Sequence, residues 1–226
     1  MRCLGYVAGI SCLLISSVAH TEDAIHDNPS LKISPPAGFC ELDKAIRPDA
    51  ALSDGMSGYA KVSGFSLVAL YPDCHELKES RTSGAFIRTK IAFAKFVKRV
   101  DGPPSRYISE TCDALRRGLS DEQRARISKY VTEFSKGNNS LQGALPLGVL
   151  DEDRGAVCYS GQLIKGKVAN ASEITLVYLT AATIVGDQPI SISQWTNYID
   201  ATSIATALTN LKTIYSDFRN MNGKTD

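Results

Sequence analysis

The sequence predicts an α+β fold: an antiparallel β-sheet covered by helices, with a long C-terminal amphipathic helix. Three observations point there. The last third of the chain alternates short apolar runs with turn signals, as hairpin-linked strands do. The middle third carries two segments whose apolar residues recur at helical spacing. The closing stretch places Ile204, Leu208, Leu211, Tyr215 and Phe218 at i, i+4, i+7, i+11 and i+14, a stripe that needs a sheet face to dock on.

The 226-residue chain opens with Met1-Arg2, a short positive region, followed by an apolar run from Leu4 to Ala19. The run then gives way to His20-Thr21-Glu22-Asp23. It is shorter than the ~20 apolar residues a membrane span needs. With small residues Ser17 and Ala19 at its end, it reads as a secretory signal peptide over residues 1–19. Cleavage after Ala19 is the first expectation and after Ala24 the second. Residues 20–30 are polar and read as a disordered mature N-terminus. Residues 31–226 read as a single α+β domain, with no internal repeat and no linker-like shift in composition.

Within that domain, Leu31 to Cys40 contains Pro35-Pro36 and reads as an extended edge segment. Arg47 to Lys61 is rich in small residues and reads as a helix. Phe65 to Tyr71 is nearly continuous in apolar residues, which suits a central strand buried on both faces. Pro72 stops it and opens a short helix carrying Cys74, His75 and Leu77. From Phe86 to Val97, Ile87, Thr89, Ile91 and Phe93 alternate with Arg88 and Lys90, so a strand is expected from Phe86, with its end left open. Asp101-Gly102-Pro103-Pro104 is a firm break. A helix follows with Ile108, Cys112 and Leu115 on one face, stopped by Gly118. A second starts at the capping pattern Ser120/Gln123 and carries Ile127, Tyr130, Val131 and Phe134. Strands are then expected over Leu147–Leu150, Ala156–Ile164 and Ile174–Val185. A two-residue turn at Gly186-Asp187 leads to a return strand through Ile190, Ile192 and Trp195. Asn222-Gly223 ends the closing helix.

The formal net charge is +1, which gives no global case for nucleic acid or for a strongly anionic partner. The segment Lys78 to Lys129 is locally basic, with Arg81, Arg88, Lys90, Lys95, Lys98, Arg99, Arg106, Arg116, Arg117, Arg124 and Arg126 between its ends and about half as many acids. It reads either as an ordinary solvated surface or as a face for an anionic membrane or polymer.

Two of the six cysteines, Cys3 and Cys12, fall in the expected signal peptide. Cys40, Cys74, Cys112 and Cys158 remain, an even number in a chain read as exported, and are expected to form disulfides. Four cysteines allow three pairings, and the sequence alone leaves the choice open. The preferred one joins Cys40 to Cys74 and Cys112 to Cys158.

Candidate chemistry is sparse. Cys74-His75-Glu76 sets a thiol beside a base, but neighbours on a helix point in different directions. Asp151-Glu152-Asp153 lacks the alternating carboxylates and glycine of a calcium loop and reads as a solvated turn. No nucleophile elbow, zinc helix, Walker loop or dinucleotide fingerprint is present, so no catalytic residue, metal ligand or cofactor is expected. Asn138 and Asn170 begin N-x-S patterns. Trp195 and the tyrosines of the last strands fit a binding surface or ordinary core packing.

The stretches Pro35-Pro36-Ala37-Gly38-Phe39-Cys40-Glu41-Leu42-Asp43 and Tyr71-Pro72-Asp73-Cys74-His75-Glu76-Leu77, with the closing hairpin and helix, resemble a pattern in uncharacterised exported proteins of proteobacteria. That resemblance carries no known activity, and it favours the Cys40–Cys74 pairing. The order of elements is also similar to PsbP-like α+β domains, which serve mostly as assembly or accessory factors. The functional expectation is therefore a periplasmic or secreted, non-enzymatic accessory or binding protein of the cell envelope. Its partners would be envelope proteins or an anionic surface, with no nucleic acid and no transmembrane segment in the mature chain. An envelope hydrolase with a dispersed site is the alternative.

Overall fold

The computed structural model describes residues 31–62, 64–118, 140–153, 155–167 and 173–223. The expected signal peptide and polar N-terminus, the second middle helix, and Asn138 and Asn170 lie outside the described residues. The elements run α1 (Arg47–Val62), β1 (Phe65–Pro72), α2 (Cys74–Ser83), β2 (Lys90–Phe96), α3 (Pro104–Arg117), β3 (Ser140–Asp153), β4 (Val157–Lys167), β5 (Glu173–Val185), β6 (Gln188–Asn197) and α4 (Ala201–Asn222). The strands form one antiparallel six-stranded sheet in the order β1-β2-β6-β5-β4-β3. The α+β expectation is met.

β3 to β6 form a meander, because each hairpin brings its next strand back antiparallel. The tightest is β5–β6, where Val185 pairs with Gln188 around Gly186-Asp187, with Gly186 at φ 62°. That left-handed conformation is what a two-residue hairpin turn asks of glycine. On β4, glycine is required for space: a Cβ at Gly161 would lie 2.4 Å from Leu179 Cδ2 and 3.1 Å from Leu150 Cδ1.

Helices cover both faces of the sheet. On one face lie Ile91, Phe93, Val157, Tyr159, Val177, Leu179, Ile190 and Ile192, packed under α4 through Ala207, Leu211, Ile214, Tyr215 and Phe218. The helix stripe read from sequence is thus the docking face, with Ile204 and Leu208 half-buried at its margin. Each large apolar side chain fully buried there contributes about 1.5–3 kcal/mol. Asp200 caps α4 by accepting from Thr202 N, while Ser203 Oγ accepts from the Asp200 N–H. Leu31 and Ile33 pack at the same core, and Asn222 clasps the Lys32 backbone through both amide atoms. On the opposite face, Leu52 and Met56 of α1 pack with Leu70, Ala92, Leu176, Tyr178 and Trp195. Ile108, Cys112 and Leu115 of α3 pack with Cys158, Ala182 and Ile184 on the same side.

Two strand expectations are corrected. The Phe65–Tyr71 run is an edge strand, not a central one, and Val68 sits 40% exposed where the β1–β2 register shifts. Its apolar character comes from lying between α1 on one face and the α4-side core on the other. The second correction concerns Phe86. The strand begins at Lys90, and residues 84–89 form no regular element. The backbone N–H groups of Arg88 and Thr89 donate to the Glu76 carboxylate, both at 2.7 Å, instead of to a neighbouring strand.

Both disulfides are present in the preferred pairing. Cys40–Cys74 ties the N-terminal segment to α2, and Cys112–Cys158 ties α3 to β4. Among the described residues, no helix is long and apolar enough to cross a membrane.

Candidate functional site

Cys74, His75 and Glu76 each have a structural assignment. Asp73 caps α2 by accepting from the backbone N–H groups of His75 at 2.9 Å and Glu76 at 3.0 Å, so all three residues lie in its first turn. The Cys74 sulfur is bonded to Cys40 and is not a thiolate. His75 is exposed, with Nε2 3.8 Å from Glu79 Oε1 one turn on. Glu76 latches segment 84–89, and its Oε1 also accepts from Thr89 Oγ1 at 3.2 Å.

The acidic turn holds three carboxylates that reach three different cations. Asp151 pairs with Lys212 and Asp153 with Arg219, both on α4, while Glu152 pairs with Arg116 on α3. Lys212 beside Asp151 holds its carboxyl below the usual 3.8, helped by the Glu152 N–H. The turn therefore straps helices on both faces of the sheet. Among the described residues, no three His, Cys, Asp or Glu side chains come together as a metal cluster.

Part of the basic stretch is engaged in ion pairs. Within its described part, Arg81 pairs with Asp49, Arg99 with Asp187, Arg106 with Glu110, and Arg116 with Asp113 and Glu152. Its residues from 119 onward lie outside the described residues. Trp195 and Tyr178 are buried, with ring centroids 4.7 Å apart, and the Tyr178 hydroxyl bonds Ser193 Oγ at 3.1 Å.

Lys90 is the group that sequence reading missed. Alternation assigns it to a polar face, but that face is buried, and Lys90 is only 6% exposed. Its Nζ donates to Ile87 O at 3.1 Å and lies 5.5 Å from the Phe86 ring centroid and 5.3 Å from that of Trp195. Burial pulls its ammonium down to about 8 from 10.5, with the charge of Glu76 opposing. Between these values the unfolded chain holds a proton that the folded chain has released, so stability must rise with pH across that window. We expect Lys90→Met to be more stable than the parent by about 2 kcal/mol at neutral pH, with the gain vanishing towards pH ~10. Urea melts across that range check it, and a pH-independent difference would refute it. Tyr71, Tyr107, Tyr159 and Tyr178, all pushed up by burial, act in the opposite sense only above their ordinary 10.

A cleft of about 410 Å³ opens beside α3, lined by Ser105, Ile108, Ser109, Asp113, Arg116 and Glu152. The Arg116 guanidinium is engaged on both arms, by Asp113 at 3.0 Å and Glu152 at 2.5 Å, so both acids are already used. The wall is drawn in where Gly155 meets α3: a Cβ there would stand 2.9 Å from Ser105 Cβ. These features define a disulfide-bonded α+β domain with helices on both sheet faces, whose chemically distinctive groups are bound into the structure itself. The chain matches no protein-family model and no curated protein.

Proposed function

We propose that the chain is an exported accessory or binding protein of the cell envelope, working in the periplasm or outside the cell after loss of residues 1–19. The observation that carries this reading is the state of the four cysteines: both pairs are bonded, and each joins separate elements. Such bonds persist in oxidising compartments and are rare in reducing ones. The leader-like N-terminus and the likeness to exported proteobacterial proteins and PsbP-like accessory domains agree with it. The residues most suggestive of chemistry also serve structure: Cys74 as half a bridge, Glu76 as a backbone latch, and Asp151 to Asp153 as helix clamps.

The test is the intact mass of the protein purified from the periplasm, with and without reduction before alkylation. We expect a chain starting at His20, with no cysteine alkylated until a reductant is added. Free thiols or a retained leader would refute export. Turnover of generic ester, peptide or glycan substrates by the purified protein would refute the accessory role and favour an envelope hydrolase.

A further inference from the structure

Large apolar side chains stand exposed at five described positions: Val68, Phe86, Val97, Leu145 and Ile199. Two of them have cations close by: Phe86, with Arg88 two residues on and the buried Lys90 Nζ 5.5 Å from its ring centroid, and Val97. Val97, 72% exposed at the end of β2, is flanked in the chain by Lys95 and Lys98. Leu145 and Ile199 have no cation within two residues, and Ile199 is followed by Asp200.

The fold adds a third lysine from far away in the sequence. Lys61 is exposed in the last turn of α1. Its carbonyl accepts from Gly64 N at 3.1 Å, and the Gly64 carbonyl accepts from Val97 N at 3.2 Å. Phe65 and Phe96 are paired in register with ring centroids 5.2 Å apart, so the chain after α1 and the end of β2 lie side by side. Gly64 keeps them close, since a Cβ there would stand 3.3 Å from the Phe96 ring. The result is a tip where an exposed apolar side chain lies near the exposed Lys61 and Lys98 and the half-buried Lys95.

Charge at this end of the molecule is unbalanced. Asp187 is taken up by Arg99 at 2.8 Å, which leaves Asp101 as the acid of the same loop. Among the described residues, Lys61, Lys95 and Lys98 make no ion pair. Lysines held at a tip without partners keep their charge available to an outside anion. An apolar side chain between them suits a partner with an anionic surface over an apolar interior. We infer that this tip docks the protein on an anionic phospholipid bilayer, with Lys61, Lys95 and Lys98 at the headgroup phosphates and Val97 at the acyl boundary. The inference rests on the envelope reading above and names its surface partner.

Each lysine near an anionic leaflet strengthens binding about fivefold, so three together are worth on the order of 100-fold. The test is co-sedimentation of the mature, disulfide-bonded chain with phosphatidylcholine vesicles, with and without phosphatidylglycerol. Binding should require phosphatidylglycerol and fall steeply between about 50 mM and about 500 mM salt. The triple variant Lys61→Gln/Lys95→Gln/Lys98→Gln should lose on the order of 100-fold. Val97→Ser should lose a few-fold with its salt dependence unchanged. Lys78→Gln/Arg88→Gln, which removes exposed charges elsewhere, should bind as the parent does. Thermal melts of each variant confirm that it is folded. Absent binding, equal binding to neutral vesicles, or equal loss in the two lysine-site variants would overturn the inference. Equal affinity for a soluble polyphosphate would assign the tip to anionic polymers instead, which also overturns it. Failure here with disulfides intact and the leader removed would leave the envelope reading standing. Free thiols would sink that reading whatever the vesicles show.

Discussion

Replacing Arg81 with alanine is expected to destabilise the fold more than Asp49→Asn, which should cost about 1–2 kcal/mol. The two residues form the tie between α1 and α2. Asp49 is wholly buried, with Oδ1 accepting from Arg81 Nε at 3.0 Å and Oδ2 from Arg81 Nη2 at 2.5 Å. Oδ2 also accepts from the Asp43 backbone N–H at 2.9 Å. The pair is asymmetric, because the Arg81 side chain keeps 33% of its surface in water and Asp49 keeps none. When Asp49 is neutralised, Arg81 can turn outward and be solvated. Without Arg81, a carboxylate stays buried with one backbone donor, an uncompensated charge.

Acid separates this from simple loss of packing. In the parent protein the Arg81 hydrogen bonds hold the Asp49 carboxyl below its ordinary 3.8, with the Asp43 N–H adding to them against burial. A depressed carboxyl stabilises the fold above 3.8, and that contribution is lost as pH falls through the folded value. In Arg81→Ala burial should instead raise the carboxyl, so protonation relieves the variant as pH falls. The stability gap between the two proteins should therefore narrow from neutral pH towards pH ~3. Urea melts at both ends measure it, and a gap that stayed constant would mean that Arg81 acts through its aliphatic stem.

The parts legible in the sequence were those fixed by local pattern. The α4 stripe needs only its own spacing, and Gly186-Asp187 only its turn chemistry. β1 was misplaced because an apolar run reports burial and not hydrogen-bonded neighbours. A strand flanked on one face by α1 and on the other by the α4-side core reads like a central one even at the sheet edge. Phe86 to Thr89 misled for another reason. The alternation was real, but the backbone donors of Arg88 and Thr89 find Glu76, which sits 12 and 13 residues back. Lys90 shows a third limit. Alternation assigns every second residue to solvent only when one sheet face is wet, and here helices cover both. The tip was legible in half, since Lys95 and Lys98 flank Val97 in the chain while Lys61 arrives only through the fold.

The disulfides carry the second large expectation. Removing Cys112–Cys158 as an alanine pair should cost about 4 kcal/mol, the loop-entropy value for its sequence separation of 46. Both residues are fully buried with Ile108 and Ile184, and Pro103 at the N-cap of α3 offers no side-chain cap, so the bridge is a principal tie of that helix to the sheet. Cys40–Cys74 spans a separation of 34, and the same entropy argument alone would give it nearly as much. Its neighbourhood is held independently, however, by Cys40 N to Pro72 O at 2.9 Å, Cys74 N to Gly38 O at 3.0 Å and the Phe39–Asp73 bridge. Its cysteines are also only half-buried. Mild reductant acting on the folded protein should therefore open this bridge alone, with two alkyl groups added by mass while the fold persists. The buried bridge should yield only when denaturant frees α3, and its loss should then lower the melting temperature by about 8–16 °C, at roughly 2–4 °C per kcal/mol for a chain of this size. Simultaneous labelling of all four cysteines without denaturant would show that α3 detaches readily in the native state. Its packing against Cys158 and Ile184 would then contribute far less than its burial implies.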